Sequence, residues 1–237
     1  MRHATILDAA TARAAGVPDA IFDLVVPQGL AGGAIATILP GNPLADDWVM
    51  PLDLPGEIMV TWSGTLAAPE DGLFADEPRT WMGDGHARFE AFCDGIRDAL
   101  VSSGRRLCFR PHARHVLSDP QGTLDFLRRR EGEPFGLALS PADLLTTGMA
   151  GDVEDHFDRI LGFMVPRADL LLLSDAKIPA QAEDDSSPLE ACPLGEGVLP
   201  REAVLEACVD RLPEHAWVVN AASDAAAAVA WRHGASS

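Results

Sequence analysis

Short continuous apolar runs alternate along this chain with longer segments whose apolar positions recur at helical spacing. Strand-like runs lie near Ala20, Ala34, Glu57, Arg106, Phe135, Asp169 and Ala216. Their β-branched content and their Gly and Pro boundaries read as buried strands. Between them, Phe89, Phe92, Cys93, Ile96, Leu100 and Val101 follow an i, i+3, i+4 pattern that predicts a helix over His86–Ser103, ended by Gly104. In "SDPQGTLDFLRRR", Ser118 or Asp119 can cap a helix that begins with Pro120, and the closing arginines suit its C-terminal dipole better than an anion site. Further helices are expected at "DVEDHFDRILGFM", "PREAVLEACVDRL" and "SDAAAAVAWRH".

The opening "ATILDAATARAAG" is Ala-rich, which predicts a helix that stops at Gly16. A Pro-, Gly- and acid-rich stretch from Thr65 to Gly85, containing Trp81, is longer than an ordinary connection and reads as a lid or as disorder. Continuous apolar strands alternating with amphipathic helices imply parallel strands covered by helices, an α/β fold. The expected architecture is a single TIM-type (β/α) barrel over residues 1–237, with about seven strands and the first missing or reduced. A doubly wound sheet is the alternative, but "PQGLAGG" lacks the spacing of a dinucleotide fingerprint.

Composition adds limits. The chain is 47% hydrophobic and 23% charged, as globular domains are. A formal charge of −18 opposes phosphate backbones and anionic lipid, so nucleic acid and membranes are not expected partners. No apolar run approaches the ~18 to 20 residues of a membrane helix. Cys93, Cys108, Cys192 and Cys208 show no CxxC spacing. With no apolar leader in "MRHATILDAA", they read as reduced, buried thiols of a cytoplasmic protein.

The segments "RLCFRPH", "GLALSPADLL", "LLLLSDAK" and "LGEGVLPREAVLEACVDRLPEHAWVVN", in that order over Phe89–Asn220, resemble the xylose-isomerase-like TIM barrels, the sugar phosphate isomerase/epimerase family. The resemblance implies a site at the C-terminal strand ends, where the family generally holds a divalent metal with two Glu, an Asp and His. A metal there polarises a hydroxy-carbonyl unit while a carboxylate moves the proton. In this chain Arg110 stands where the first Glu is expected, Ser140 and Asp143 where the Asp and His are, Leu172 where His often is, and Asn220 where the closing Glu is; Asp175 persists. A guanidinium in place of a carboxylate inverts the field a hard cation needs. The resemblance therefore implies the framework without the cage, and no metal or other cofactor is expected.

Three functions remain open. In the first, Arg110 pairs with a carboxylate or phosphate of a small sugar-like or anionic ligand, His112 or His115 serves as acid or base, and Asp143 and Asp175 orient the imidazole or the substrate hydroxyls. Trp62, Ser140, Glu196 and Asn220 then contact the ligand. In the second, the barrel is non-catalytic and binds a ligand or a protein. In the third, Asp175, Asp143, His112 and Glu196 rebuild a site for Mn, Zn or Mg. The related abasic-site endonucleases need a fuller metal set and a DNA-facing surface. Ser63 reads either as sharing the pocket with Trp62 or as core packing; His156 and His215 read as solvated, the stretch from Gln181 to Glu190 as a solvated loop at the mouth, and Trp231 as a core or interface anchor that leaves homo-oligomerisation open.

Overall fold

A computed structural model describes residues 1–14, 17, 20–28, 33–182 and 184–221. Eight strands close a barrel: β1 (Arg2–Leu7), β2 (Asp23–Pro27), β3 (Ala36–Ile38), β4 (Ile58–Trp62), β5 (Arg106–Arg110), β6 (Phe135–Leu139), β7 (Leu170–Leu173) and β10 (Trp217–Ala221). Around the ring they run β1, β10, β7, β6, β5, β4, β3, β2. Helices α1 (Ala9–Ala14), α2 (Gly83–Ser103), α3 (Pro120–Arg129), α4 (Val153–Met164) and α5 (Arg201–Asp210) complete the elements, together with a two-stranded ribbon, β8 (Asp175–Lys177) and β9 (Glu190–Cys192), placed after β7. This is the α/β TIM-type architecture expected from the alternation of runs.

Two expectations about the start of the chain are corrected. The first strand is not missing: Arg2–Leu7 pairs in parallel with β10 and closes the ring. The Ala-rich stretch expected to be one helix is a strand followed by a six-residue helix. Ala4 is fully buried inside the barrel and Leu7 packs outward against Ala12 and Leu24, so ring closure overrides local helix propensity. Strand direction is corrected as well, since β2 runs antiparallel to both β1 and β3. Residues 28–35 are too few for the dozen or more that a parallel crossover requires, so the chain turns back on itself. The predicted stop at Gly16, the helix over residues 223–233 and Trp231 lie outside the described residues.

The remaining elements follow the sequence closely. Gly104 adopts the left-handed conformation (φ 64°) that ends α2. Asp119 caps α3 by accepting the Gly122 N–H at 2.9 Å. Arg128, Arg129 and Arg130 are taken up in ion pairs with Asp125, Glu90, Asp94 and Glu133. The barrel interior is filled by small and branched residues, among them Val25, Val60, Ala138, Leu170 and Val219, while the outward faces of the strands pack on the helices through Phe109, Phe89 and Phe126 on one side and Leu171, Ile160 and Leu161 on the other. All four cysteines are buried and none is in a disulfide. No described helix is long and apolar enough to cross a membrane.

Candidate functional site

Strand register and the alternation of side chains set the inner surface in layers. Ile6, Ile38, Arg110 and Leu172 share one level on β1, β3, β5 and β7. Asp23, Trp62, Ser140 and Ala221 form the next, toward the C-terminal ends of the parallel strands. The mouth thus opens over a ring that carries one guanidinium, one carboxylate, one indole and one hydroxyl.

Arg110 is the centre of this ring. Its Nε donates to Asp143 Oδ2 at 2.5 Å and its Nη2 to Oδ1 at 3.1 Å, a bidentate pair in which the Asp143 side chain is only 8% exposed. The guanidinium carbon lies 4.3 Å from the centre of the Trp62 ring, its partner across β4 and β5. A cleft of about 250 Å³ opens beside the pair, lined by Asp23, Ile38, Leu39, Trp62 and Arg110 among others.

His112 and His115 lie just past β5 and belong to an aromatic stack instead of the open cleft. Their rings are 5.0 Å apart and meet the edge or face of Trp62 at 5.6 and 5.2 Å. Phe74 covers both, at 4.5 Å from His112 and stacked at 5.4 Å on His115. His112 Nδ1 accepts the Arg114 N–H at 3.0 Å, which leaves the proton on Nε2. His115 Nε2 donates to the Leu73 carbonyl at 3.0 Å, and its bare Nδ1 is buried without a partner among the described residues. Burial, and for His112 the nearby Arg110 and Arg114 charges, push both imidazoles down to about 3. Both rings are neutral at pH 7.

The covering Phe74 comes from residues 65–82, which form an ordered strap with short 3-10 turns at Pro69–Asp71 and Pro78–Trp81. Facing hydroxyls of Thr65 and Thr80 at 3.1 Å pin its ends together. Arg114 pairs with Asp76 at 3.0 Å in the strap and donates to Ser186 Oγ at 3.2 Å in the loop that joins β8 to β9. One buried arginine therefore ties together two segments that lie over the mouth.

Other candidates fall elsewhere. Asp175 is buried, but its two oxygens accept the backbone N–H groups of Ala176, Gly195, Gly197 and Leu199, at 2.8 to 3.0 Å. Its carboxylate folds the Leu194–Leu199 segment and does not join Arg110. Asn220 lies on the outward alternation with Val218, and its amide donates to the Ala221 carbonyl at 2.9 Å. Glu196 is exposed in the turn that Asp175 holds. Ser63 accepts the Leu117 N–H at 3.2 Å and serves the β4 exit. His215 is exposed and lies 3.7 Å from Asp169 at the opposite end of the barrel, while His156 lies half-buried on α4. Among the described residues, no three His, Cys, Asp or Glu converge as a metal site. The residues at the strand ends do not fit a family-type divalent ion, because Asp143 is held by Arg110 and Asp175 by amides.

Residue reasoning overlooked Phe74 and Asp23 as shapers of the mouth. Only the length of the 65–85 stretch hinted at the strap, and the reversal of β2, which brings Asp23 to the mouth, has no local signature.

No family model matches the chain, and no curated protein does. Solved structures do. A xylose isomerase domain protein from Planctomyces limnophilus superposes with a TM-score of 0.51 at 14% identity, over 76% of this chain and 58% of that one. A probable 3-DHS dehydratase of petrobactin synthesis from Bacillus anthracis gives 0.49 at 10% identity, over 75% and 61%. D-psicose 3-epimerase from Clostridium cellulolyticum gives 0.45 at 14% identity, over 70% and 50%. The chain spans less than two thirds of the length of each. The first superposition shows the fold: this chain has the xylose-isomerase-like TIM-barrel architecture.

Proposed function

We infer that this barrel is sugar phosphate isomerase/epimerase-like and holds a small sugar or sugar-acid at its C-terminal mouth, without the divalent metal that its fold relatives generally use. The observation that carries this reading is the bidentate Arg110–Asp143 pair at the end of β5. It sets a fixed cation where the resemblance expects a carboxylate ligand, beside an indole and a carboxylate that suit a polyhydroxylated molecule. Arg110 supplies the N–H groups that Asp143 does not take, and Trp62 an apolar wall for a sugar face. Asp23 offers an acceptor for hydroxyls.

A non-catalytic module is the second reading, and one observation favours it. With His112 and His115 held near 3 and Asp143 engaged, these three groups offer no acid and base poised near neutrality. Binding and turnover separate the two. Calorimetric titration with small sugars and sugar acids, in the presence of a chelator, should give saturable binding that Trp62→Ala weakens at least tenfold. A ligand that binds and is also epimerised or isomerised supports the enzyme, and one that binds unchanged supports the module. No binding, or binding indifferent to Trp62→Ala, would refute the mouth as the site.

A further inference from the structure

The flank of the barrel beside β2 and β3 is built differently from the rest. A TIM-type barrel buries the outer faces of its strands under helices, as α2 to α5 do here. Among the described residues no helix lies between β2 and β4 in the chain, because β2 turns back into β3 and a loop alone leads on to β4. The outward positions Leu24 and Thr37, paired across β2 and β3, therefore face a cleft of about 260 Å³ instead of a helix. Ala20, Ile21, Leu54 and Pro55 continue its walls. The Thr37 hydroxyl is committed to the Pro55 carbonyl at 2.7 Å. Asp53, exposed at the edge, is the one charged group among the described lining residues.

This flank cleft adjoins the mouth. Ile21 and Phe22, just before β2, line both it and the cleft that holds Trp62 and Arg110. The reversal of β2 puts them on the rim, since it sets the N-terminal end of β2 among the C-terminal ends of its parallel neighbours. Ile21 is 68% exposed there, a large apolar side chain open to water at the boundary of the two clefts. The mouth cleft joins polar groups, at Asp23 and Arg110, to apolar ones at Phe22, Ile38 and Leu39. Beyond the rim the walls are apolar apart from Asp53. A free sugar carries hydroxyls on every edge, and those set against Ile21 and Phe22 would lose water without gaining a partner. A ligand that matches the whole surface has hydroxyls at one end and an apolar group at the other.

We propose that the mouth cleft and the flank cleft form one site for an amphipathic ligand, a small sugar or polyol that carries an uncharged alkyl or aryl group. The polyhydroxylated head lies by Trp62, Asp23 and Arg110, and the apolar group passes over Ile21 and Phe22 into the cleft beside Leu24 and Pro55. The assignment rests on the mouth being the ligand site, and narrows its ligand from free sugars and sugar acids to glycosides and similar conjugates. Asp53 and the −18 charge of the chain disfavour an anionic tail.

The test is calorimetric titration of the full chain in a chelating buffer with three probes: methyl β-D-glucopyranoside, hexyl β-D-glucopyranoside and 1-hexanol. They present the head, the head with its tail, and the tail alone. The hexyl glucoside should bind about tenfold or more tightly than either of the others, through the apolar surface that its chain buries. Pro55→Asp should remove that gain and leave the methyl glucoside unaffected, because Pro55 is exposed, lines the flank cleft and not the mouth, and holds Thr37 through its backbone carbonyl. Trp62→Ala should weaken both glucosides. Equal affinity for the two glucosides, or a gain indifferent to Pro55→Asp, would overturn the joint site and leave the mouth reading standing. Hexyl glucoside and hexanol bound alike, with Trp62→Ala without effect, would make the flank an isolated apolar pocket and also overturn it. A wild type that binds none of the three would remove the mouth site, and the joint site with it.

Discussion

His112 and His115 show how burial decides what a residue can do. The structure places both at the mouth, yet seals them against Trp62 and Phe74 and holds them near 3, so they act as neutral packing and hydrogen-bonding groups. The unfolded chain takes up protons on these rings near pH 6.5 and the folded chain only near 3. The folded state therefore binds fewer protons in that window. The stability contributed by the neutral rings is fully present above about 6.5 and is lost as pH falls toward 3, by roughly 1.4 kcal/mol per pH unit for each ring. Urea unfolding at pH 7 and pH 5 should show the wild type losing a few kcal/mol more than a His112→Asn, His115→Gln double variant, whose amides keep the two hydrogen bonds without titrating. Equal losses would mean that the rings are not held neutral. The place of Arg110 at the mouth was legible because an Arg at the end of an apolar run is conspicuous, and Asp143 came from the resemblance. Their pairing was not, since 33 residues separate them. Asp175 misled for the opposite reason: a lone Asp after a strand looks catalytic until the four amides that surround it are seen.

At the level of elements, the strap and the β8–β9 ribbon decide how open the mouth is, and Arg114 is their shared anchor. Arg114→Ala should raise deuterium exchange and protease cleavage several-fold within residues 66–82 and 184–189, while β4, β5 and β6 keep their protection. Exchange unchanged in both segments would mean that backbone contacts alone hold them. The helices α2 to α5 were readable because each carries an apolar stripe, and α2 and α3 also carry a cap signal at one end. The ribbon was not, because its strands are three residues long and lie in an otherwise polar linker. The first strand was hidden by alanine, which packs well at the barrel axis while favouring helix in isolation.

On the scale of the whole molecule, the α/β barrel was legible because seven buried runs at barrel spacing leave few other topologies. Ring closure by β1 depends on contacts between the two ends of the described chain, which no local window contains. The same scale carries the central proposal, that this barrel works at its mouth without a divalent ion, with the Arg110–Asp143 pair taking up the end of β5. The most direct test is the metal content of the purified full chain, followed by thermal melting against rising Mn, Zn and Mg. The account predicts substoichiometric metal and a melting temperature that does not move with any of the three. Stoichiometric metal, or a melting temperature that climbs with metal concentration as linkage demands, would contradict it.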